Sequence, residues 1–98
     1  MLHIINKSPL THSALESCLR VAQSGEILLI EDAVYAATTG SAFESKIREA
    51  TGRFKVYVLQ SDLEARGLAD RVIAGVSSVD YGGFVDLVTS NKNCQSWL

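Results

Sequence analysis

Few residues of this sequence could do chemistry, and its two cysteines are the most reactive of them. Cys18 and Cys94 lie near opposite ends of the 98-residue chain. A cysteine thiolate accepts a sulfane sulfur as a persulfide, and the terminal sulfur then passes to another nucleophile. Cys94 lies in a polar C-terminal segment, where we expect an exposed and incidental cysteine. Cys18 is therefore the candidate catalytic residue, in the role of a sulfur carrier.

Cys18 has an alternative role in the hydrophobic core. It shares a helical stripe with Leu15, Leu19 and Ala22, and free cysteine is among the most buried residue types. Arg20 lies two positions further on and does not face Cys18 on a helix, so it is a poor activator of the thiol. The spacing alone favours core packing, and the accessibility of the thiol decides between the two roles.

Other polar residues indicate structural roles. Glu31 and Asp32 follow an apolar run, at the edge of the sheet where α/β proteins usually bind ligands, but we expect them to cap the next helical turn instead. His3 lies in the first apolar run and is expected at the edge of the core. Tyr35, Tyr57 and Tyr81 are expected to pack with their hydroxyl groups in contact with water.

The motifs of common α/β active sites are absent from this sequence. It has no Gly-x-Gly-x-x-Gly, no P-loop, no Gly-x-Ser-x-Gly elbow and no Cys-x-x-Cys. We therefore expect neither a cofactor nor a metal ion. The formal net charge of −2 argues against direct nucleic-acid binding, because phosphate-driven affinity needs a basic face.

The alternation of apolar runs and helical periodicity predicts the fold. Strands are predicted at residues 1–6, 26–30, 54–59 and 76–79, with helices between and after them. Such an order forms a mainly parallel sheet flanked by helices on both faces. The predicted fold class is therefore α/β, a three-layer sandwich, and the length is typical of a single domain, 1–98.

Helix positions are predicted from capping signatures and periodicity. Three Ser-x-x-Glu boxes predict helix starts: Ser13 with Glu16, Ser41 with Glu44, and Ser61 with Glu64. The last helix is predicted to be amphipathic, with one face that serves packing or assembly: Tyr81, Phe84, Val85 and Val88. No run approaches the roughly 18 apolar residues of a membrane span, and residues 1–9 lack the pattern of an export signal. We therefore expect a cytoplasmic protein with no membrane partner.

Four segments resemble, in chain order, the DsrH/TusB family of sulfur-relay proteins. They are residues 2–9 (LHIINKSP), 28–37 (LLIEDAVYAA), 56–67 (VYVLQSDLEARG) and 79–87 (VDYGGFVDL). Trp97 also fits the family pattern, and the most specific piece is the DLxARG stretch. The resemblance spans essentially the whole chain.

The resemblance implies a DsrE-like fold and a place in a heterohexamer of three related subunits. The implied partners are DsrE/TusD-like and DsrF/TusC-like subunits and a downstream sulfur acceptor of the DsrC/TusE type. Such complexes pass persulfide sulfur between proteins, toward 2-thiolation of the tRNA wobble uridine or during oxidative sulfur metabolism. The main sulfur-accepting cysteine is implied to lie on the DsrE/TusD-type subunit, so we expect an accessory subunit rather than an enzyme on its own.

Cys18 bears on which of two branches of the family this chain resembles, the one that serves tRNA thiolation or the one that serves oxidative sulfur metabolism. Its position within LESCL is similar to that of a cysteine in DsrH-type members of sulfur oxidisers, whereas some TusB-type members lack one there. The resemblance therefore favours the DsrH-type branch and leaves a secondary sulfur-carrying role open. Two alternatives stand beside it: a purely structural subunit with Cys18 in the core, and a free-standing α/β ligand-binding domain.

Overall fold

The computed structural model describes residues 1–97 and contains one five-stranded sheet. Its strands are β1 (Leu2–Ile5), β2 (Gly25–Leu29), β3 (Phe54–Leu59), β4 (Val76–Val79) and β5 (Cys94–Trp97). All neighbouring strands are parallel, in the order β4-β3-β2-β1-β5. The predicted α/β class with a parallel sheet is confirmed.

Helices connect the strands and lie on both faces of the sheet. The α-helices are α1 (Ala14–Val21), α2 (Glu44–Ala50), α3 (Gln60–Ala65) and α4 (Tyr81–Ser90). Two 3-10 helices add Glu31–Ala37 and Ala69–Arg71. Within residues 1–97, every helix is too short or too polar to cross a membrane.

The two faces of the sheet are covered to different extents, because successive side chains of a strand point to opposite sides. On the face that we call the closed face, the strands contribute Ile5, Ile27, Leu29, Val56 and Val58. Buried residues of α1, α2, α3 and the first 3-10 helix pack on it: Leu15, Cys18, Ile47, Leu63 and Val34. On the opposite, open face, the apolar strand-side residues are Leu2, Ile4, Leu28, Ile30, Tyr57 and Val79, and α4 packs on them through Phe84 and Leu87.

Strand β5 corrects the expectation of a polar C-terminal tail. Residues Cys94–Trp97 pair with β1, so that Leu2 lies opposite Cys94 and Ile5 opposite Trp97. Three of the four residues of β5 are exposed, which is why the segment lacks an apolar strand pattern. Its conformation is set by pairing with β1 rather than by burial of its own side chains.

The hydrogen bonds and helix starts that the capping boxes predict are mostly not found in the structure. Ser13 makes no side-chain capping hydrogen bond, and α3 begins one residue before Ser61. Glu44 does accept a backbone hydrogen bond, from the N–H of Gly40 at 2.7 Å. Helix ends in this small protein are therefore set more by packing than by the Ser-x-x-Glu pattern.

Helix α4 packs on the open face through Leu87 and through Phe84, which lies at one edge of the predicted face. Asp80 caps it by accepting a hydrogen bond from the Gly83 N–H at 2.7 Å. Leu87 is buried and Phe84 is half-buried against the sheet. Three residues of the predicted face are exposed instead: Tyr81 (70 %), Val85 (45 %) and Val88 (37 %). The apolar side chains of this helix form one broad stripe, so periodicity did not identify which edge of the stripe meets the sheet.

Candidate functional site

Cys18 lies in the core beneath α1. This helix buries only Leu15 and Cys18, which are spaced to face the sheet together. The Cys18 side chain is 0 % exposed and belongs to the hydrophobic cluster of the closed face. The core-packing position that the helical stripe favoured is thus the one that the structure gives this side chain.

Burial controls the ionisation of the Cys18 thiol. Loss of hydration raises the pKa of Cys18 to about 11, and no charged neighbour contributes to that shift. At neutral pH roughly one such thiol in ten thousand is ionised. Arg20 is exposed on α1, where its charge acts on Glu16. The structure therefore provides neither the access nor the electropositive surroundings that a reactive cysteine has.

Cys94 lies in a different part of the molecule. It is exposed on the edge strand β5, opposite Leu2, whose side chain lies on the open face. Cys18, in contrast, packs on the closed face. The sheet separates the two thiols, so they do not form a cysteine pair.

The carboxyl edge of the sheet, where α/β proteins usually bind ligands, is occupied by side chains of the chain itself. Arg66 of α3 donates to Asp32 Oδ1 through Nη2 at 2.9 Å and through Nε at 3.2 Å. Its Nη1 donates to the Asp62 carbonyl at 3.1 Å. The hydrogen bond to Asp32 and the charges of Asp32 and Asp62 raise the pKa of Arg66.

The backbone at Glu31 is part of the same network. Glu31 has φ +51°, in the left-handed region that non-glycine residues rarely adopt. Its N–H donates to Asp62 Oδ2 at 2.7 Å, which holds this conformation in place. The expected capping role of Glu31 and Asp32 is therefore wrong. Asp32 pairs with α3 instead, and the contact joins the end of β2 to the helix that follows β3.

This network gives the DLxARG stretch a structural role. Asp62 and Arg66 are the polar members of the DLxARG stretch, and both act within the chain. Sequence reasoning singled out this stretch but not its partner Asp32, which is 34 positions away. The position of Asp32 at the carboxyl end of β2 was the only available signal of that contact.

Two surface grooves flank α1, α2 and the loop after β1. A groove of about 310 Å³ between α1 and α2 is lined by charged residues. Two of its three cations are engaged within the chain, because Lys46 pairs with Glu16 and Arg53 donates to the Leu19 carbonyl at 2.9 Å. A smaller apolar groove of about 120 Å³ includes Leu10 and Tyr35. No cluster of three or more His, Cys, Asp or Glu side chains suited to a metal ion is found within residues 1–97.

On the open face, helix α4 carries a group of exposed apolar side chains. Tyr81 packs edge-on against Phe84, with ring centroids 5.7 Å apart, and is otherwise exposed. Val85 and Val88 extend this surface along α4, and Ile4, Ile30, Tyr57 and Val79 are only partly buried beside it. Exposed apolar residues in a contiguous group are typical of interaction surfaces.

Comparison with known proteins gives consistent results over the whole chain. A family model described as "DsrH like protein" matches residues 7–94. The chain is 39 % identical over 99 residues to Protein TusB of Escherichia coli O81 (strain ED1a), covering 99 % of this chain and 100 % of that protein. It is 38 % identical over 98 residues to Protein TusB of Enterobacter sp. (strain 638), with the same coverage.

Two solved structures share the fold. The crystal structure of the ychN protein from E. coli superposes with a TM-score of 0.84 at 18 % identity, covering 97 % of both chains. A protein of unknown function from Methanobacterium thermoautotrophicum gives a TM-score of 0.68 at 20 % identity, covering 97 % of this chain and 95 % of the other. At these identities the likeness establishes the architecture.

Proposed function

Because this chain belongs to the DsrH family, we propose that it is a subunit of a cytoplasmic sulfur-relay complex that serves tRNA 2-thiolation. In this proposal the 1–98 unit acts as one domain within a heterohexamer. Its neighbours are DsrE/TusD-like and DsrF/TusC-like subunits, and the complex passes persulfide sulfur to an acceptor of the DsrC/TusE type. The full-length likeness to proteins named TusB is the observation that carries the proposal.

The same likeness supports the thiolation branch over oxidative sulfur metabolism. The position of Cys18 favoured the DsrH-type branch from sequence alone, but a buried thiol is compatible with either branch. The likeness to TusB proteins, at 39 % identity, extends over 99 % of the chain, whereas the argument from Cys18 depends on one residue. We therefore take modification of the tRNA wobble uridine as the end point of the relay.

Within the proposed complex, this subunit has mainly an assembly role. Sulfur transfer requires a thiolate that attacks the terminal sulfur of a donor persulfide, which breaks the donor S–S bond and releases the donor as a thiolate. The shielding and raised pKa of Cys18 oppose both access and ionisation. The main sulfur carrier is therefore proposed to be a cysteine of the DsrE/TusD-like partner.

A minor carrier role for Cys18 depends on movement of α1. This helix has eight residues and buries two of them, and isolated helices of that length are marginal in water. A partner that displaced α1 would expose the thiol and restore its ordinary pKa. We therefore propose that Cys18 takes up sulfur slowly, and only in the assembled complex.

Assembly is tested by coexpression with DsrE-like and DsrF-like subunits, followed by size-exclusion chromatography with light scattering. The wild-type chain is expected to form a stable complex. Val85→Asp, on the open face, should abolish it, because it places a charge in the proposed contact. Val21→Asp is the matched control, since Val21 is exposed (66 %) on α1, a helix of the closed face. A wild-type chain that remains monomeric when both partner subunits are present would contradict the proposal.

Sulfur transfer is tested separately in cells and in vitro. A strain that lacks its own TusB should regain 2-thiouridine in tRNA when this chain and its partners are expressed. Cys18→Ser should reduce thiolation less than loss of the partner's cysteine. Treatment with a sulfane-sulfur donor, read as a gain of about 32 Da by intact mass and peptide mapping, would reveal any persulfide on Cys18. Complete loss of thiolation in Cys18→Ser would make Cys18 a main carrier instead.

A further inference from the structure

His3 and Trp97 form a side-chain contact that joins the two ends of the described chain. The His3 side chain is only 5 % exposed, and its Nδ1 accepts a hydrogen bond from Trp97 Nε1 at 3.2 Å. The two ring centroids are 6.1 Å apart. On its other sides the imidazole faces the edge of the Phe54 ring and the backbone carbonyl of Ser24. The first apolar run predicts a position at the edge of the core for His3, and the structure adds this specific partner.

The chemistry of the two rings fixes the protonation state of the contact. An indole N–H is a donor only, so His3 Nδ1 must present a lone pair to it. The imidazole is therefore neutral, with its proton on Nε2, which lies toward Ser24. A protonated imidazole carries N–H on both ring nitrogens. Proton uptake from solvent would then place two donors face to face and remove the hydrogen bond.

Few other contacts stabilise strand β5. It is an edge strand that pairs only with β1, and Cys94, Gln95 and Ser96 are exposed. Trp97 is its one half-buried side chain, and it packs against the core of the closed face. A backbone hydrogen bond from Leu2 N–H to the Asn93 carbonyl, at 3.0 Å, continues the ladder. The Trp97 indole is thus the main side-chain anchor of this strand.

We propose that His3 is a pH-sensitive latch for the C-terminal strand, and that protonation of its imidazole releases β5 from the edge of β1. Release leaves the N–H and C=O groups of β1 unpaired, and an unpaired strand edge is a template for pairing with another strand. The latch is independent of the proposed function, because it depends on contacts within this chain alone.

Within residues 1–97, no carboxylate acts on His3 to oppose this switch. Burial of the ring lowers the pKa of His3, the Ser24 carbonyl opposes that effect, and the amino terminus lowers the pKa further. Arg53 lies over the Phe54 ring, 5.0 Å from its centroid. Among the groups of residues 1–97 that act on this ring, burial has the largest effect on the pKa, and it favours the neutral imidazole.

The acidic residues of the neighbouring elements are engaged elsewhere. Glu26 of β2 lies opposite Leu2 and accepts from Asn91 Nδ2 at 2.9 Å and from Tyr57. Glu16 and Arg20, the charged residues of α1, are exposed, and Gln95 of β5 is uncharged. The neutral imidazole is thus favoured in the attached state, so the contribution of His3 to attachment is fully present above the ordinary histidine pKa of 6.5. It weakens as pH falls below that value, because the released state binds the proton more readily.

Fluorescence of Trp97, the single tryptophan of the chain, tests the latch directly. The full-length chain would be titrated from about pH 8 to about pH 5, the range in which histidine changes charge. We expect the emission maximum to shift to longer wavelength and acrylamide quenching to increase, with a midpoint below 6.5. His3→Gln should abolish this transition. His12→Gln, which removes the exposed second histidine, should leave it unchanged.

Hydrogen exchange on the wild-type chain keeps the test decisive if His3→Gln fails to fold. After correction for the intrinsic pH dependence of exchange, amides of the β1–β5 ladder should lose protection at low pH while those of β2–β3 keep it. Equal loss in both ladders, or loss of helical circular dichroism at the same midpoint, would overturn the proposal. So would the absence of a wild-type fluorescence transition, or one that persists in His3→Gln.

Discussion

The closed and open faces of the sheet differ in how completely the chain covers them. Three α-helices and a 3-10 helix pack on the closed face, and the apolar residues of β1, β2 and β3 that point to it are almost fully buried. The open face has one helix, α4, which buries Leu2, Leu28 and Leu87 but leaves Ile4, Ile30 and Tyr57 half-covered. The strand sequences are nearly as apolar toward the open face as toward the closed one. A sheet built for burial on both sides, but covered well on one, is suited to a subunit whose partners complete its packing.

The largest expected effect compares two neighbouring residues of β2. Ile27 and Leu28 are both 0 % exposed but point to opposite faces. Ile27→Ala should lower the free energy of unfolding by about 3–5 kcal/mol, because the tightly covered closed face cannot collapse into the cavity. Leu28→Ala should cost about 2–3 kcal/mol, since α4 alone lies above it and can settle toward the sheet. Denaturant titration of both variants measures the difference, and equal costs would contradict the contrast between the faces.

Removal of β5 should have the next largest effect. A chain that ends after Asn91 loses the edge strand, the Trp97 anchor and the hydrogen bond to His3. We expect a loss of about 2 kcal/mol in the free energy of unfolding, comparable to the effect of a strongly destabilising single substitution. Trp97→Phe keeps the strand and most of the apolar contact, so it should cost less. Unchanged thermal melting and complex yield in the truncated chain would show that β5 contributes to neither stability nor assembly.

Sequence reasoning succeeded where a pattern had one structural solution. The parallel sheet followed from apolar strands that alternate with helices, and the burial of Cys18 followed from its stripe with Leu15. It failed where an element is defined by its neighbours. Strand β5 has exposed residues and forms because β1 offers a free edge. The contacts of Asp32 with Arg66 and of His3 with Trp97 join residues 34 and 94 positions apart, which no local pattern encodes.

Substitutions of Cys18 test the packing of the closed face at a single buried side chain. Cys18→Ser places a hydroxyl group in the core of the closed face. It should lower the free energy of unfolding by roughly 1–3 kcal/mol, because the apolar side chains of this cluster offer the hydroxyl no hydrogen-bond partner. Cys18→Ala should cost less, since it leaves a small cavity but no unpaired polar group. A smaller cost for Ser than for Ala, measured by denaturant titration, would show that the site is more polar than the structure indicates.

The pKa of Cys18 adds a dependence on pH with a definite sign. The thiol ionises at about 11 in the folded chain, compared with 9.0 for an unhindered cysteine. The folded state therefore keeps its proton over a range in which the unfolded state has lost it, and stability falls as pH rises between those values. Cys18→Ala should remove this part of the alkaline slope. Alkylation below that range should reach Cys94 first, because Cys94 is exposed and Cys18 is not.

The smallest expected effect on stability is at the exposed surface of the open face. Val85 is 45 % exposed on α4, so Val85→Ala should change the free energy of unfolding by no more than about 0.5 kcal/mol in the isolated chain. Leu87→Ala, on the same helix but buried, should cost several times more. In the complex we expect the reverse order of effects. Val85→Ala should reduce complex yield more than Leu87→Ala, because Val85 would lie in the partner contact and its truncation would weaken assembly directly. Melting of the isolated chain and complex yield, measured for both variants, separate these effects. A Val85→Ala chain that lost stability as much as Leu87→Ala would assign this residue to the fold itself, and the open face would then lose its main candidate for contact with a partner.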